Sequence, residues 1–256
     1  MTENLKDCAV VWQHRWSLLI QKIERVQTTA DEQNLLVRLT HPKRPFVLAF
    51  ANAHAMNSLA ISAIFFDALN SADMVLRDGS GMATLFKLLK IQPGFNLNGT
   101  DLIPKITRQF NGRCIALFGT QAPYLQQGLE AVKKNLAPLS ALISAHGFME
   151  ITAYVELAQV HQPALIVLGM GMPRQEEVAT ALRSTLNYPC LIVCGGAIID
   201  FWAGKTPRAP LWIRRVGMEW GFRLAMEPRR LFQRYVIGNP LFLMRALRFA
   251  AREGYL

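Results

Sequence analysis

The chain has 256 residues, 51% hydrophobic and 18% charged, a composition that excludes a disordered or fibrous protein and fits one large α/β domain or a medium domain with an appendage. The formal net charge is +10, and eleven Lys/Arg against three acids place +8 of it between Lys205 and Leu256. Such a basic tail expects an anionic partner: substrate phosphates, a lipid surface or nucleic acid.

The N-terminal MTENLKDCAVVWQHRW carries acids where a signal peptide carries lysines. The longest apolar run, the ten residues from Cys190 to Ile199, falls short of the roughly 18 that a spanning helix needs, so a cytoplasmic protein is expected. Cys8, Cys114, Cys190 and Cys194 form no CxxC pair and are read as reduced core thiols. The five histidines show no ligand spacing, and no metal site is expected.

In chain order, a mixed segment from Leu5 to Gln27 suggests a leading helix, and Asn34 to Thr40 (NLLVRLT) a short strand. An alternation follows: strand PFVLAF, helix His54–Leu69, strand DMVLRD and helix Met82–Leu89, then a loop and a helix from about Asp101 to Phe110. It continues as strand RCIALFG, helix 123–135, strand ALISAHG, helix 152–161, strand ALIVLGM, helix 174–186 and strand CLIVCGG. Short continuous apolar runs separated by helices predict an α/β fold, a Rossmann-like, mainly parallel sheet with helices on both faces. Past Gly204 the regularity stops, giving an expected body of 1–204 and a basic, Arg-rich helical appendage of 205–256. In its last helix Arg245, Arg248 and Arg252 fall on one side and Phe242, Ala246 and Phe249 on another, which fits either an interfacial helix or one packed on the body with a solvated basic face.

Ligands of an open parallel sheet bind at the carboxyl ends of its strands, so the motifs there carry the chemistry. In ALIVLGMGMPRQEE, Gly169 and Gly171 follow a strand and Pro173 stands at the expected first helical turn, an arrangement whose backbone N–H groups can hold a diphosphate. A dinucleotide fingerprint would need a third glycine at Arg174 and an acid near Pro189, so NAD is disfavoured and no cofactor is expected. Gly195 and Gly196 form a second such turn, with Asp200 placed to accept from a base or ribose or to cap a helix. Gly147, at the end of ALISAHG, is grouped with these nucleotide-side glycines.

Asp78, at the end of DMVLRD, could serve as general base toward a hydroxyl nucleophile or as N-cap of the next helix, whose dipole would weaken it as a base. Asn52 and His54 in FANAH could hydrogen-bond a sugar or start a helix, and Thr100 or Asp101 is expected to cap the helix after NLNG. No DxD pair is present to hold a metal on a diphosphate. In Gly217–Tyr235, GMEWGFRLAMEPRRLFQRY, arginines are interleaved with aromatics and interrupted by Pro228. That mixture suits a lid whose guanidinium groups clamp a leaving diphosphate.

The segments NSADMVLRDGSG, NGTDL, LGMGMPRQEE, GGAIIDFWAGKTPRAP and GMEWGFRLAMEPRRLFQRY, spread over about residues 46 to 238, resemble the WecG/TagA/CpsF family, glycosyltransferase family 26. The resemblance implies an inverting, metal-independent transfer of a sugar from a UDP-sugar to a polyprenyl-diphosphate-linked sugar in surface or exopolysaccharide assembly. It further implies a peripheral enzyme on the anionic inner face of the cell membrane. It carries the base onto Asp78, with Asn52 beside it in the catalytic set. Nucleotide contacts fall on Gln175 and Asp200, and diphosphate contacts on Arg223, Arg230 and Arg234. Phe50 and Asn96 depart from the Thr and Arg that many members have there, and the FxNxH plus NLNGTD version resembles an exopolysaccharide branch, some of whose members transfer glucose. Glucose, N-acetylmannosamine and its uronic acid all stay open. The alternatives to the enzyme are a non-catalytic membrane-peripheral scaffold and a nucleic-acid binder, and a homo-oligomer stays open.

Overall fold

The structure, a computed structural model, describes residues 3–255, apart from the side chains of residues 3–10 and of residue 215. Helix α1 (Glu3–Lys22) leads into a two-residue strand β1 (Ile23–Glu24), helix α2 (Thr29–Thr40) and strand β2 (Phe46–Ala51). Helices α3 (Ala53–Ile61) and α4 (Ala63–Ser71) join β2 to β3 (Met74–Arg77), and α5 (Gly79–Leu88) and α6 (Gly99–Gln109) join β3 to β4 (Ile115–Gly119). Then follow α7 (Tyr124–Asn135), β5 (Leu142–Ala145), α8 (Ile151–His161), β6 (Leu165–Gly169), α9 (Arg174–Thr185) and β7 (Leu191–Cys194). The remainder is helical: α10 (Ile198–Trp202), α11 (Leu211–Arg215), α12 (Glu219–Met226), α13 (Pro228–Phe232), a π-helical turn (Gln233–Ile237) and α14 (Gly238–Arg252).

The seven strands form one sheet in the order β1-β3-β2-β7-β6-β4-β5, every neighbouring pair parallel. Period-two alternation divides its side chains between two cores. Val47, Ala49 and Ala51 of β2 pack with residues of α1, α3, α5, α9 and α14. Leu48 and Phe50 pack with residues of α2, α6 and α7 on the opposite face. Burial on both faces is why these strands read as unbroken apolar runs, and the Rossmann-like α/β architecture expected from them is the one observed.

Three local expectations are overturned. Residues 34–40 are the second half of α2: Thr28 and Asp31 form a capping box, and Leu35 and Leu39, four apart, are buried while Val37 is 61% exposed. A helical period thus prevails over the β-branched look of LVRLT, and the edge strand is β1 instead, paired with β3. The predicted helix 54–69 is two helices, because the Ser62 side chain accepts from the Phe65 N–H (3.1 Å) and restarts the chain as the N-cap of α4. The cap of α6 is Asn98, whose side chain accepts from the Asp101 N–H (3.0 Å), and not Thr100 or Asp101.

At the amino end of the sheet, Asp73 accepts from the Val47 N–H (2.9 Å) and from Arg183 Nε (2.8 Å), and pairs with Arg44 (2.8 Å). Its burial alone would raise its pKa, but these donors outweigh that and hold it below the usual carboxylate range. The loops at the opposite end are thereby free to be shaped for ligands. Cys114, Cys190 and Cys194 are free thiols, and burial raises the pKa of each, Cys190 to about 12; the side chain of Cys8 lies outside the described residues.

The segment after Gly204 ends inside the core. Phe242, Ala246, Phe249 and Ala250 of α14 are buried, and Trp16 of α1 sits 5.6 Å from Phe242 and 5.8 Å from Phe249 between ring centroids. Of the arginine stripe read from the sequence, Arg245 is partly buried and its Nη1 donates to Asn57 Oδ1 (2.9 Å), while Arg248 and Arg252 are exposed, Arg252 donating to Gln13. The stripe is therefore not a continuous solvated face. Beside Arg248, α14 exposes Leu243, Met244 and Leu247.

Candidate active site

A cavity of about 610 Å³ opens at the carboxyl ends of β2, β3, β6 and β7, and the helices that follow β7 close over it. Its volume falls within the range typical of small-ligand sites. The topology dictates the place: β2 continues toward β3 while β7 lies on its other side, so the loops after these strands diverge and leave a crevice.

The β2 and β3 loops contribute one wall. Asn52 is the N-cap of α3, its Oδ1 accepting from the Ala55 N–H (3.0 Å), while its Nδ2 donates to Asp78 Oδ2 (3.3 Å). Asn52 thus fills the helix-starting role and also orients the carboxylate. Asp78 occupies the N-cap position of α5 but makes no capping hydrogen bond with its side chain, so its second oxygen stays available toward the cavity it lines. Gly79 follows at φ +86°, the left-handed geometry that frees the chain to turn directly behind Asp78. Its N–H is taken by Asn96 Oδ1 (2.8 Å).

Behind this wall stands Arg77, which sequence reasoning missed. It is 6% exposed and donates to three carbonyls: Pro93 (3.1 Å), Gly79 (3.0 Å) and Gly94 (2.8 Å). Burial lowers its pKa, opposed by the charge of Asp78. An arginine at the end of an otherwise apolar strand was the available signal, since a buried charge must be bonded. His54 lines the cavity, and burial, with the charge of Arg234, depresses its pKa to about 4, so it is neutral at pH 7.

The β6 and β7 turns form the floor. Gly169 is there because a Cβ would lie 2.6 Å from Ile199 Cδ1. Gln175, expected as a nucleotide contact, lines the cavity at 1% exposure with both ends of its amide engaged: Oε1 accepts from the Gly196 N–H (2.8 Å) and Nε2 donates to Glu176 Oε1 (2.7 Å). It braces the two turns together. Asp200 lies within α10, whose N-cap is Ala197, so it is not the cap; it lines the cavity, accepts from Thr120 Oγ1 (2.6 Å) and pairs with Lys205 (3.3 Å). Gly169, Gly171 and Gly195 are lining residues, but Gly147 is not: its N–H donates to Thr120 O (2.8 Å) and its carbonyl accepts from Arg174 Nε (3.1 Å). Pro173 is the N-cap of α9 and precedes its first turn.

The roof is cationic. Pro228 separates α12 from α13, as its missing N–H requires, and the π-helical turn after α13 carries Arg234. Arg214, Arg223, Arg230 and Arg234 all line the cavity. Arg223 stacks 4.7 Å over Phe201 and pairs with Glu219 (3.2 Å), and Arg230 pairs with Glu227. Such solvent-touching pairs are worth about 0–1 kcal/mol, less than the roughly 1.5–3 kcal/mol of a hydrogen bond to a charged group. An arriving phosphate can displace them. Arg234 has no carboxylate partner among the described residues, and the Nε atoms of Arg214, Arg223 and Arg234 are buried without an acceptor. Among the described residues no group of three His, Cys, Asp or Glu is placed to hold a metal ion.

A carboxylate, a floor with two glycine turns and a roof of four arginines, three of them with a buried Nε that lacks an acceptor, thus meet in one cavity. The glycosyl transferase family model WecG/TagA/CpsF matches residues 17–254. The chain belongs to this family, and it is a glycosyltransferase. It is 22% identical over 220 residues to an N-acetylglucosaminyldiphosphoundecaprenol N-acetyl-beta-D-mannosaminyltransferase of Staphylococcus aureus strain MW2, covering 83% of this chain and 82% of that protein. The protein of the same name from strain NCTC 8325 / PS 47 is 21% identical with the same coverage.

Beneath the floor, Glu176 is 1% exposed, and burial raises its pKa to about 8 despite the Gln175 hydrogen bond. An unfolded glutamate titrates near 4.5, so between that value and about pH 8 the folded chain holds a proton the unfolded chain has lost, and stability falls as pH rises. Glu176→Gln, which keeps the acceptor for Gln175, is expected to remove a slope of up to about 1.4 kcal/mol per pH unit in urea titrations between pH 5 and 8. Parallel stability curves for the two proteins would contradict the buried neutral acid.

Proposed function

We propose that this glycosyltransferase moves a sugar from a UDP-sugar to a polyprenyl-diphosphate-linked sugar with inversion, using arginine charge where other enzymes use a metal ion. The observation that carries this reading is the meeting of Asp78 with four cavity-lining arginines in one site. The names of the relatives, which specify a diphosphoundecaprenol-linked acceptor and a mannosaminyl donor, support it. Asp78 takes the proton of the acceptor hydroxyl, the freed oxygen attacks the anomeric carbon of the donor from the face opposite the diphosphate, and UDP leaves with the bonding electron pair. One displacement inverts the anomeric centre. Arg223, Arg230 and Arg234 stabilise the charge that grows on the diphosphate as the bond breaks, and the Gly169–Gly171 and Gly195–Gly196 turns with Asp200 hold the nucleotide.

The transferred sugar is glucose, N-acetylmannosamine or N-acetylmannosaminuronic acid. The names of the relatives favour N-acetylmannosamine, and Phe50, Asn52, His54 and Asn96 are the lining residues placed to choose. Turnover with a panel of the three UDP-sugars on a short lipid-linked acceptor identifies it. In the same assay Asp78→Asn is expected to lower transfer by about 10²–10⁴-fold while UDP binding persists, whereas Arg230→Ala weakens both. Wild-type turnover by Asp78→Asn would remove the base assignment.

The acceptor's lipid places the enzyme against the inner face of the cell membrane. No helix among the described residues is long and apolar enough to cross a bilayer, but the roof exposes Leu211, Trp212 and Val216, and α14 exposes Leu243, Met244 and Leu247 near Arg248. Apolar and aromatic groups flanked by basic ones favour an anionic interface, each cation contributing about 1 kcal/mol. Because Phe242 and Phe249 belong to the core, substitution is the proper test and truncation of α14 is not. Leu243→Ser, Met244→Ser and Leu247→Ser combined should reduce cosedimentation with phosphatidylglycerol liposomes at least severalfold; unchanged sedimentation at unchanged stability would argue against this face.

A further inference from the structure

Transfer onto a lipid-linked diphosphate, the reading on which this inference rests, brings two diphosphates into one cavity, the donor's and the acceptor's. The cavity's arginines do not converge on a single point. Arg223 belongs to the β7 half, where it stacks over Phe201 beside Asp200. Arg214 belongs to the β3 half: Ser80 Oγ donates to Gly217 O (3.4 Å), which lays the end of α11 across the start of α5, and Arg214 Nη1 lies 3.6 Å from Asp101 Oδ1 in the first turn of α6.

The Asp101 carboxylate is already engaged by Arg208 (2.5 Å) and Asn98 Nδ2 (2.8 Å). Its longer contact with Arg214 therefore orients that side chain by charge without satisfying its hydrogen bonds. Arg214 is 23% exposed at its side chain, lines the cavity, and has a buried Nε with no acceptor. A buried guanidinium N–H that lacks a protein acceptor is one a bound anion can satisfy.

The acceptor hydroxyl must lie against Asp78, and the acceptor's diphosphate is attached at another carbon of the same sugar ring. With the nucleotide occupying the β6 and β7 turns, that diphosphate extends along the remaining wall, where α5 and α6 begin and Arg214 stands. We infer that Arg214, positioned by Asp101, binds the diphosphate of the lipid-linked acceptor, while Arg223 binds that of the nucleotide.

Calorimetric titration of the whole chain with UDP and with farnesyl diphosphate, a short lipid diphosphate, tests this division. Arg214→Ala should weaken farnesyl diphosphate about tenfold, the loss of one charge-assisted hydrogen bond, and change UDP affinity less than about twofold; Arg223→Ala should do the reverse. Arg214→Gln, measured alongside, covers a misfolded alanine variant. Equal losses for both ligands, unchanged binding of both in the Arg214 variants, or a wild type that does not bind farnesyl diphosphate would each overturn the assignment. The expected split between the variants, with a wild type that forms no product from any UDP-sugar, would instead remove the transferase reading and leave the subsite standing.

Discussion

Guanidinium charge gathered over the carboxyl ends of β2, β3, β6 and β7 is the constraint around which the rest of the molecule is arranged. Four arginines line one cavity, and three of them have a buried Nε without an acceptor. An N–H buried without a partner costs on the order of 1–3 kcal/mol, a cost that a bound anion relieves. The surrounding protein must therefore hold the roof in place without neutralising it. It does so with weak, partly exposed pairs to Glu219 and Glu227, with the face of Phe201, and with the docking of α14 into the aromatic cluster around Trp16.

The floor needs the opposite treatment. It is held by internal bonds: Gln175 joins the β6 and β7 turns and donates to the neutral Glu176, whose Oε2 alone lacks a partner there, and Arg77 ties the Asp78 loop to the loop at Pro93 and Gly94. A satisfied buried network fixes geometry, whereas an unsatisfied one waits for ligand. Asn52 connects the two regimes, capping α3 with one end of its amide and steadying Asp78 with the other.

Much of this was legible in the sequence, for identifiable reasons. Strands buried on both faces leave continuous apolar runs, so β2, β3, β4, β6 and β7 were readable, with the edge strand β5 placed by the alternation with helices, and glycine turns after strands marked the cavity's floor. Pro228 announced the break in the roof. The short edge strand β1 was not readable, because two residues carry no period, and α2 was mistaken because its capping box lay upstream of the segment judged. One capping expectation failed at this level, and one bracing role went unseen. Asp101 looked like a cap and is an anchor for Arg208 and Arg214, while Gln175, expected to touch the nucleotide, lines the cavity and also braces its floor. Both depend on residues more than 20 positions away, which no local pattern displays. Glu176, a buried neutral acid, and Arg77, a buried charge, owe their burial to the fold, although Arg77 at least stood out at the end of an apolar strand.

Whether arginine charge alone supports departure of the nucleotide is most directly read from turnover of the purified enzyme, with UDP-sugar and lipid-linked acceptor, in the presence of excess EDTA. The account predicts the same rate with and without the chelator, and no gain on adding Mg²⁺ or Mn²⁺. Loss of turnover in EDTA, restored by either ion, would contradict it.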